Sequence, residues 1–372
     1  MKLLKILKFI IAALVLLNAP AVVLMNTSAT IGSLASYSTI ILLAIYYVLV
    51  KKTEPNVWMI VLALSYFVIS SLQYYGIPSE FVYNCIKYLI VVICGYELIK
   101  KMSATDMFYL FLIGTLSIGF EAVFLTSKWG RYSGFYINPN VAGFICIYAY
   151  ALTYGIKNRG LKLIGQFVFT LMGLLTFSRT FIVIWVLLNL ISLRISIKNI
   201  KMLGIGFLIL STLFFIDEIV GLNNPRFEQL KRIASNEKVS TREINEDSRA
   251  DTWALYYDQV LDSPFIGNGW GTFSGVTGPL GAHNSFLMVV GEAGILPLLI
   301  MIAMFFVMFW QGYVYFKYAP NLIMQTIALS LVLLANHNFF NFYYFTFATM
   351  WIQYQLMVQK NNKLYNQQEI TS

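Results

Sequence analysis

Charge is what this sequence has least of. Of its 372 residues only 12% are Asp, Glu, Lys or Arg, against about 25% in an ordinary soluble domain. Histidine occurs twice and cysteine three times. Cys85, Cys94 and Cys146 all fall inside apolar runs, at spacings that match no zinc pattern, so they read as packing residues with neither a disulfide nor a metal role. Segments of alternating hydrophobicity are missing as well, which excludes a membrane β-barrel. No internal repeat, low-complexity tract or soluble domain is evident.

What is present is apolar: 58% of the residues are hydrophobic. Continuous runs long enough to cross about 30 Å of hydrocarbon recur along the chain. The reading is an all-α, polytopic integral membrane protein, a single membrane domain over residues 1–372 with about twelve transmembrane helices. The expected spans are 6–25, 31–50, 57–75, 81–99, 107–126, 139–156, 161–177, 180–196, 200–220, 285–314, 320–336 and 341–359. The first has the basic and apolar regions of a secretory signal, with Ala19-Pro20-Ala21 as a possible cleavage site. A retained signal-anchor helix is the preferred reading, because the apolar run continues through Met25.

The formal charge of +9 comes largely from short inter-helix loops, where Lys and Arg orient helices, so nucleic acid is not an expected partner. Counting from a cytoplasmic N-terminus puts 16 of the 26 basic residues on the cytoplasmic side and both termini inside. Against that trend, Arg131 and Arg179 fall in short outer loops, and one long extracytoplasmic loop, about 221–283, carries six basic and eight acidic residues. Asp247 or Ser248 can cap a helix opening at Arg249. Arg249, Trp253 and Tyr257 share one face of it, expected to lie against the membrane surface.

Four pieces of sequence stand together on this outer side. They are Arg131-Tyr-Ser-Gly-Phe-Tyr-Ile-Asn-Pro-Asn140; Ser178-Arg179; Ser248-Arg249 with Trp253 and the turn Gly267-x-Gly269-x-Gly271; and His283-Asn284 followed by Gly291-Glu292-x-Gly294. In order and spacing, over about residues 105–340, they resemble the O-antigen polymerase and O-antigen ligase superfamily of bacterial envelope polysaccharide assembly. The resemblance implies a metal-independent membrane glycosyltransferase without a cofactor, acting at the outer face of the bacterial cytoplasmic membrane on a glycan carried by undecaprenyl diphosphate. It implies diphosphate binding by Arg179 and Arg249, and acceptor activation by His283. A chain-length regulator and a flippase are its expected companions. A polymerase extending O antigen, capsule or a similar chain is the first reading. A ligase passing glycan to lipid A-core is the second, and a transporter of lipid-linked sugars is a reading of another class.

The chemistry asks for these residue types. Guanidinium groups are permanently charged forks that suit phosphate oxygens, so Arg131, Arg179 and Arg249 are the phosphate candidates. Arg131 and Arg179 equally suit snorkelling to the interface or pairing with Glu121 or Glu292. A histidine, with a reference pKa of about 6.5, takes a hydroxyl proton near neutrality. His283 is therefore the candidate base in a direct, inverting displacement, or else a loop residue that bonds carbonyls. Asn284 can cap the next helix, leaving backbone N–H groups to face the same pocket. Glu292 is expensive in an apolar run unless it faces protein or water, and an orienting salt bridge is its expected use. Gly291 and Gly294, with Pro297 beyond, mark a break between a surface helix and a true span. Asn140, Trp253 and His337 complete the candidate substrate contacts. Gly269 belongs to a turn that would let backbone approach the glycan or diphosphate, and Trp253, Tyr256, Trp270 and Phe273 are candidate sugar-stacking or membrane-belt aromatics. Arg131 and Arg179 reach the outer side from distant spans, so the 248–294 segment is expected to be part of a larger cleft.

Overall fold

Where the apolar runs are interrupted decides the architecture. The computed structural model describes residues 2–125, 130–220, 249–277 and 280–371, and every regular element among them is helical. In chain order these are α1 (Lys2–Leu16), α2 (Ala19–Asn26), α3 (Ala29–Leu49), α4 (Val57–Ser70), α5 (Pro78–Ile99), α6 (Ala104–Phe124), α7 (Pro139–Leu152), α8 (Arg159–Leu175), α9 (Arg179–Ser192) and α10 (Ile200–Val220). After the undescribed stretch 221–248, which holds most of the expected long loop and its capping residues Asp247 and Ser248, come α11 (Arg249–Asp262), α12 (Ser285–Ala293), α13 (Ile295–Val314), α14 (Pro320–Leu333) and α15 (Tyr343–Thr371).

Among the described residues five helical stretches are long and apolar enough to cross a membrane: α3, α5, α6, Ile197–Phe215 and α13. The bent pair α1 and α2 makes a sixth if it counts as one span. Their outer faces suit lipid, for Val48, Val123, Phe207 and Phe306 are all more than 60% exposed. The remaining apolar runs are cut shorter than expected by capping residues and prolines. Asn56, Asn138, Asn158 and Ser178 each accept a backbone N–H at the first turn of α4, α7, α8 and α9. Pro78, Pro139 and Pro320 sit in first turns, where a missing N–H costs nothing. The single expected helix 6–25 is in fact broken, with a 60° bend between α1 and α2. Asn18 at the break is left-handed, with φ +56°, and Pro20 lies next to it at the start of α2.

The chain divides into two compact units: Met1–Ser103 with Arg249–Ser372, and Ala104–Ser248. In the first, α4, α5, α13, α14 and α15 enclose an aromatic centre. Phe340, in the α14–α15 connection, stacks on Tyr66 at 4.0 Å between centroids and meets Tyr88 at 5.0 Å. In the second, α7 is the central helix, with every residue from Val141 to Leu152 buried, and α6, α8 and α9 pack around it. A helix apolar all round has only such a place to go. Cys94 and Cys146 are buried, Cys85 partly so, and none is paired.

The expected break near Glu292 is present, with Gly294 standing between α12 and α13 at φ +76° and ψ −170°. Only glycine adopts that region freely, and a Cβ there would lie 2.1 Å from the Phe265 carbonyl oxygen. Gly294→Ala is therefore expected to cost more than about 1 kcal/mol. A thermal unfolding midpoint in detergent that equals the wild type's would remove glycine as a requirement at this break.

Candidate functional site

In the first unit the site region is built on Glu292. This side chain is 0% exposed, and burying a carboxylate demands compensating donors. Tyr66 Oη donates to its Oε2, while the backbone N–H groups of Phe273 and Ser274 donate to Oε1 at 2.9 and 2.6 Å. No salt bridge reaches it among the described residues, so in place of the expected ion pair hydroxyl and amide dipoles hold the carboxylate, and through it the loop beyond the glycine turn. Asn268 and Gly269 add backbone bonds to the carbonyls of Gly291 and Glu292, at 2.7 and 3.1 Å.

That packing also corrects the reading of Gly269. Its φ is +90°, and a Cβ would lie 2.2 Å from the carbonyl oxygen of Gln73. The close approach that glycine permits is made to this chain's own backbone, so the turn is not open to a glycan or diphosphate there. Trp270, Phe273 and Tyr256 are 3%, 0% and 6% exposed, and so are packing residues rather than stacking platforms. Trp270 packs edge-on against Tyr74 and Phe81. Tyr256 donates to the Leu280 carbonyl, and burial pushes its phenol up from its ordinary value, which keeps it a donor. The inward residue of α11 is thus Tyr256, while Tyr257 is exposed. Trp253 is half-buried, and its Nε1 has no hydrogen-bond partner among the described residues. Arg249 opens α11, and its side chain lies outside the described residues.

The two histidines meet. The rings of His283 and His337 are 4.9 Å apart, edge to face, and the backbone N–H of His283 donates to His337 Nδ1 at 3.1 Å. An accepting Nδ1 carries no proton, so this bond selects the Nε2–H tautomer of neutral His337. Ser285 Oγ donates to the Asn336 carbonyl, a second stitch between the two segments. His283 itself is left-handed, at φ +50°, an uncommon conformation for a non-glycine residue. Asn284 caps α12 as expected, its Oδ1 accepting from Phe286 and Leu287 at 2.9 and 3.1 Å. Those two N–H groups are consequently held by the cap.

In the second unit the loop before α7 folds onto the α8–α9 junction. Arg131 Nε donates to the Thr176 carbonyl at 3.2 Å, and its Nη2 donates to Asn140 Oδ1 at 2.8 Å. Ser178 Oγ donates to that same Oδ1 at 3.3 Å. Arg179 is the first residue of α9 and is exposed, with no hydrogen bond or ion pair among the described residues. A cation there stands at the positive end of the helix dipole, an electrostatically poor place unless an anion joins it. The loop is held from α6: Glu121 Oε2 accepts from Ser133 and Gly134 N–H at 2.7 and 2.6 Å, and Ser117 Oγ accepts from Phe135 N–H at 3.0 Å. Ile137 and Phe177, on either side of this junction, are left-handed at φ +64° and +47°.

The candidate residues therefore gather in two places. Arg131 and Asn140 meet at the turn that opens on Arg179, and His283, Asn284 and His337 meet beside the Glu292-braced loop. Tyr66, Ser117 and the anchoring role of Glu121 are absent from the residues expected on sequence grounds. For Glu121 a signal exists, an acid inside an apolar run; for Tyr66 there is none. Among the described residues no three His, Cys, Asp or Glu side chains group as metal ligands. No protein-family model matches the chain, and no curated protein matches it. The local geometry makes its own prediction. Tyr66→Phe strips one donor from a buried carboxylate and is expected to cost about 1–3 kcal/mol. It should speed limited proteolysis within residues 263–277, and unchanged cleavage there would count against Glu292 as the brace.

Proposed function

We propose that this protein is a polysaccharide polymerase of the bacterial cytoplasmic membrane. It transfers a glycan from undecaprenyl diphosphate onto another lipid-linked repeat unit at the outer face. The observation that carries the reading is Arg179, an exposed cation at a helix N-terminus, with a second arginine, Arg131, fixed to the same turn by Asn140 and Thr176. Guanidinium charge at the positive end of a helix dipole favours an anion at that point. The resemblance of the sequence pieces names the anion as a diphosphate. In this reading the shorter apolar helices join the five long ones toward twelve spans, with both termini cytoplasmic.

The transfer is a direct displacement. An acceptor hydroxyl oxygen attacks the anomeric carbon, the bond from that carbon to the diphosphate oxygen breaks, and the lipid diphosphate leaves with the electron pair. The acceptor proton passes to His283. His337, accepting from the His283 main chain, holds the base in its left-handed conformation, and constrained backbone of this kind is common where geometry serves chemistry. The sequence resemblance assigns diphosphate binding to Arg179 and Arg249, and Arg131 braces the turn that opens on Arg179.

With lipid-linked repeat unit and purified protein, His283→Ala is expected to lower turnover by about 100-fold or more, the usual contribution of a general base. Turnover near wild type would take His283 out of the chemistry. Arg179→Ala is expected to abolish chain growth at normal protein level, with Arg179→Lys only partly restoring it because the fork is lost. In a deletion strain, surface lipid bearing a single repeat unit supports the polymerase. Long chains stranded on undecaprenyl diphosphate would replace that reading with a ligase.

A further inference from the structure

The break between α1 and α2 leaves room for a ligand. Within the first unit a cavity of about 320 Å³ is bounded by that break, by α3 and α5, and by the connection leading into α15. Among the described residues Lys87 of α5 is the one cation in its lining, and none there is a carboxylate. Nine residues beyond Pro78, at about 1.5 Å each, the ammonium stem leaves α5 roughly 13 Å from the helix start, well inside a span long and apolar enough to cross a membrane. The ammonium lies over an aromatic ring, with Nζ 4.6 Å from the Tyr37 centroid. No ion pair joins it among the described residues.

A cation at such depth is costly unless something negative or hydrated meets it. A ring face supplies part of that, and the lining supplies neutral dipoles from Asn84, Ser36 and Asn341. None of these neutralises the charge. Beside them Leu14 and Leu24 give the same cavity an apolar wall, and Leu24 and Asn341 are themselves exposed, so the space is open to the surroundings. One cation, several hydrogen-bond donors and a hydrocarbon wall in one open cavity match a molecule with an anionic head and an apolar tail.

We propose that this cavity seats a phosphate-bearing lipid, with Lys87 and the neighbouring amides on the phosphate and the α1–α2 wall along the chain. The site uses none of the residues assigned to glycan transfer and does not depend on that reading. Two lipids share the chemistry, an anionic glycerophospholipid and a polyprenyl phosphate.

Native mass spectrometry of the full-length protein in detergent distinguishes them, with phosphatidylglycerol, undecaprenyl phosphate and uncharged diacylglycerol as probes. At least one phosphate lipid is expected to be retained over diacylglycerol, and the tighter of the two identifies the source. Lys87→Gln should weaken that lipid by at least tenfold. Equal retention of diacylglycerol, or wild-type affinity in Lys87→Gln, overturns the proposal. Should that variant fail to fold, Asn341→Glu places a like charge at the exposed mouth. It should weaken the phosphate lipid tenfold while leaving diacylglycerol unchanged, and undiminished phosphate-lipid binding there overturns the proposal equally. Binding is read without glycan transfer, so either reading can fail while the other stands.

Discussion

A carboxylate with no exposure governs the first unit. Glu292 can be buried only because three donors reach it, and those donors come from α4 and from the loop after the glycine turn. Removing any one leaves the others serving a group that the surroundings cannot solvate. The carboxylate therefore sets the position of the loop, which in turn packs Trp270 against Tyr74 and Phe81, and the backbone ladder from Asn268 and Gly269 ties the glycine turn to the end of α12. The histidine pair stands at the opposite end of that same short helix, held through Ser285 and Asn336. A polar brace inside an apolar assembly thus defines where the two imidazoles sit.

Backbone conformation marks the same places that side-chain chemistry does. Of the four non-glycine residues with positive φ among the described residues, Ile137, Phe177 and His283 each lie at or within three residues of a candidate contact. A β-branched isoleucine in that region is unfavourable by itself, and its neighbours over-determine it: Asn138 caps α7 immediately after it. Phe177 performs a parallel task, turning the chain so that Ser178 caps α9 and Arg179 emerges into the open. The guanidinium is presented by a backbone with little freedom to withdraw it.

Much of this was legible in the residues. Long apolar runs with scarce charge determine helices in any apolar solvent, because backbone groups have no other partners there, and the all-helical fold results. Caps are local, so Asn284 could be read from its neighbours, as could the break at Gly294. The ends of the spans were not legible, because runs of apolar residues hide where a cap or a left-handed residue such as Asn18 interrupts them. Nor were partners distant in sequence. Tyr66 reaches Glu292 across 226 positions, and nothing near either residue encodes the encounter. The glycine turn carried the right composition and the wrong inference, since its openings are filled by Gln73 and Glu292 of the same chain. Whether an aromatic is a platform or a core residue depends on what covers it, and that is a tertiary fact.

The division into two units has a consequence for how the protein is made. Residues 104–248 are contiguous, so every contact within that unit is available once its last helix has been synthesised. The other unit is discontinuous. Its α1 packs against α15, and α4 lacks its partners Phe340 and Glu292 until the segments that carry them have been made. At about 1.5 Å per residue, α1 and α2 reach roughly 22 and 12 Å, each short of a hydrocarbon layer by itself. The α1–α2 pair has α3 as an early neighbour, whereas its contact with α15 waits until that helix has been made. During that interval the face of the kinked pair that later meets α15 depends on whatever lipid surrounds it.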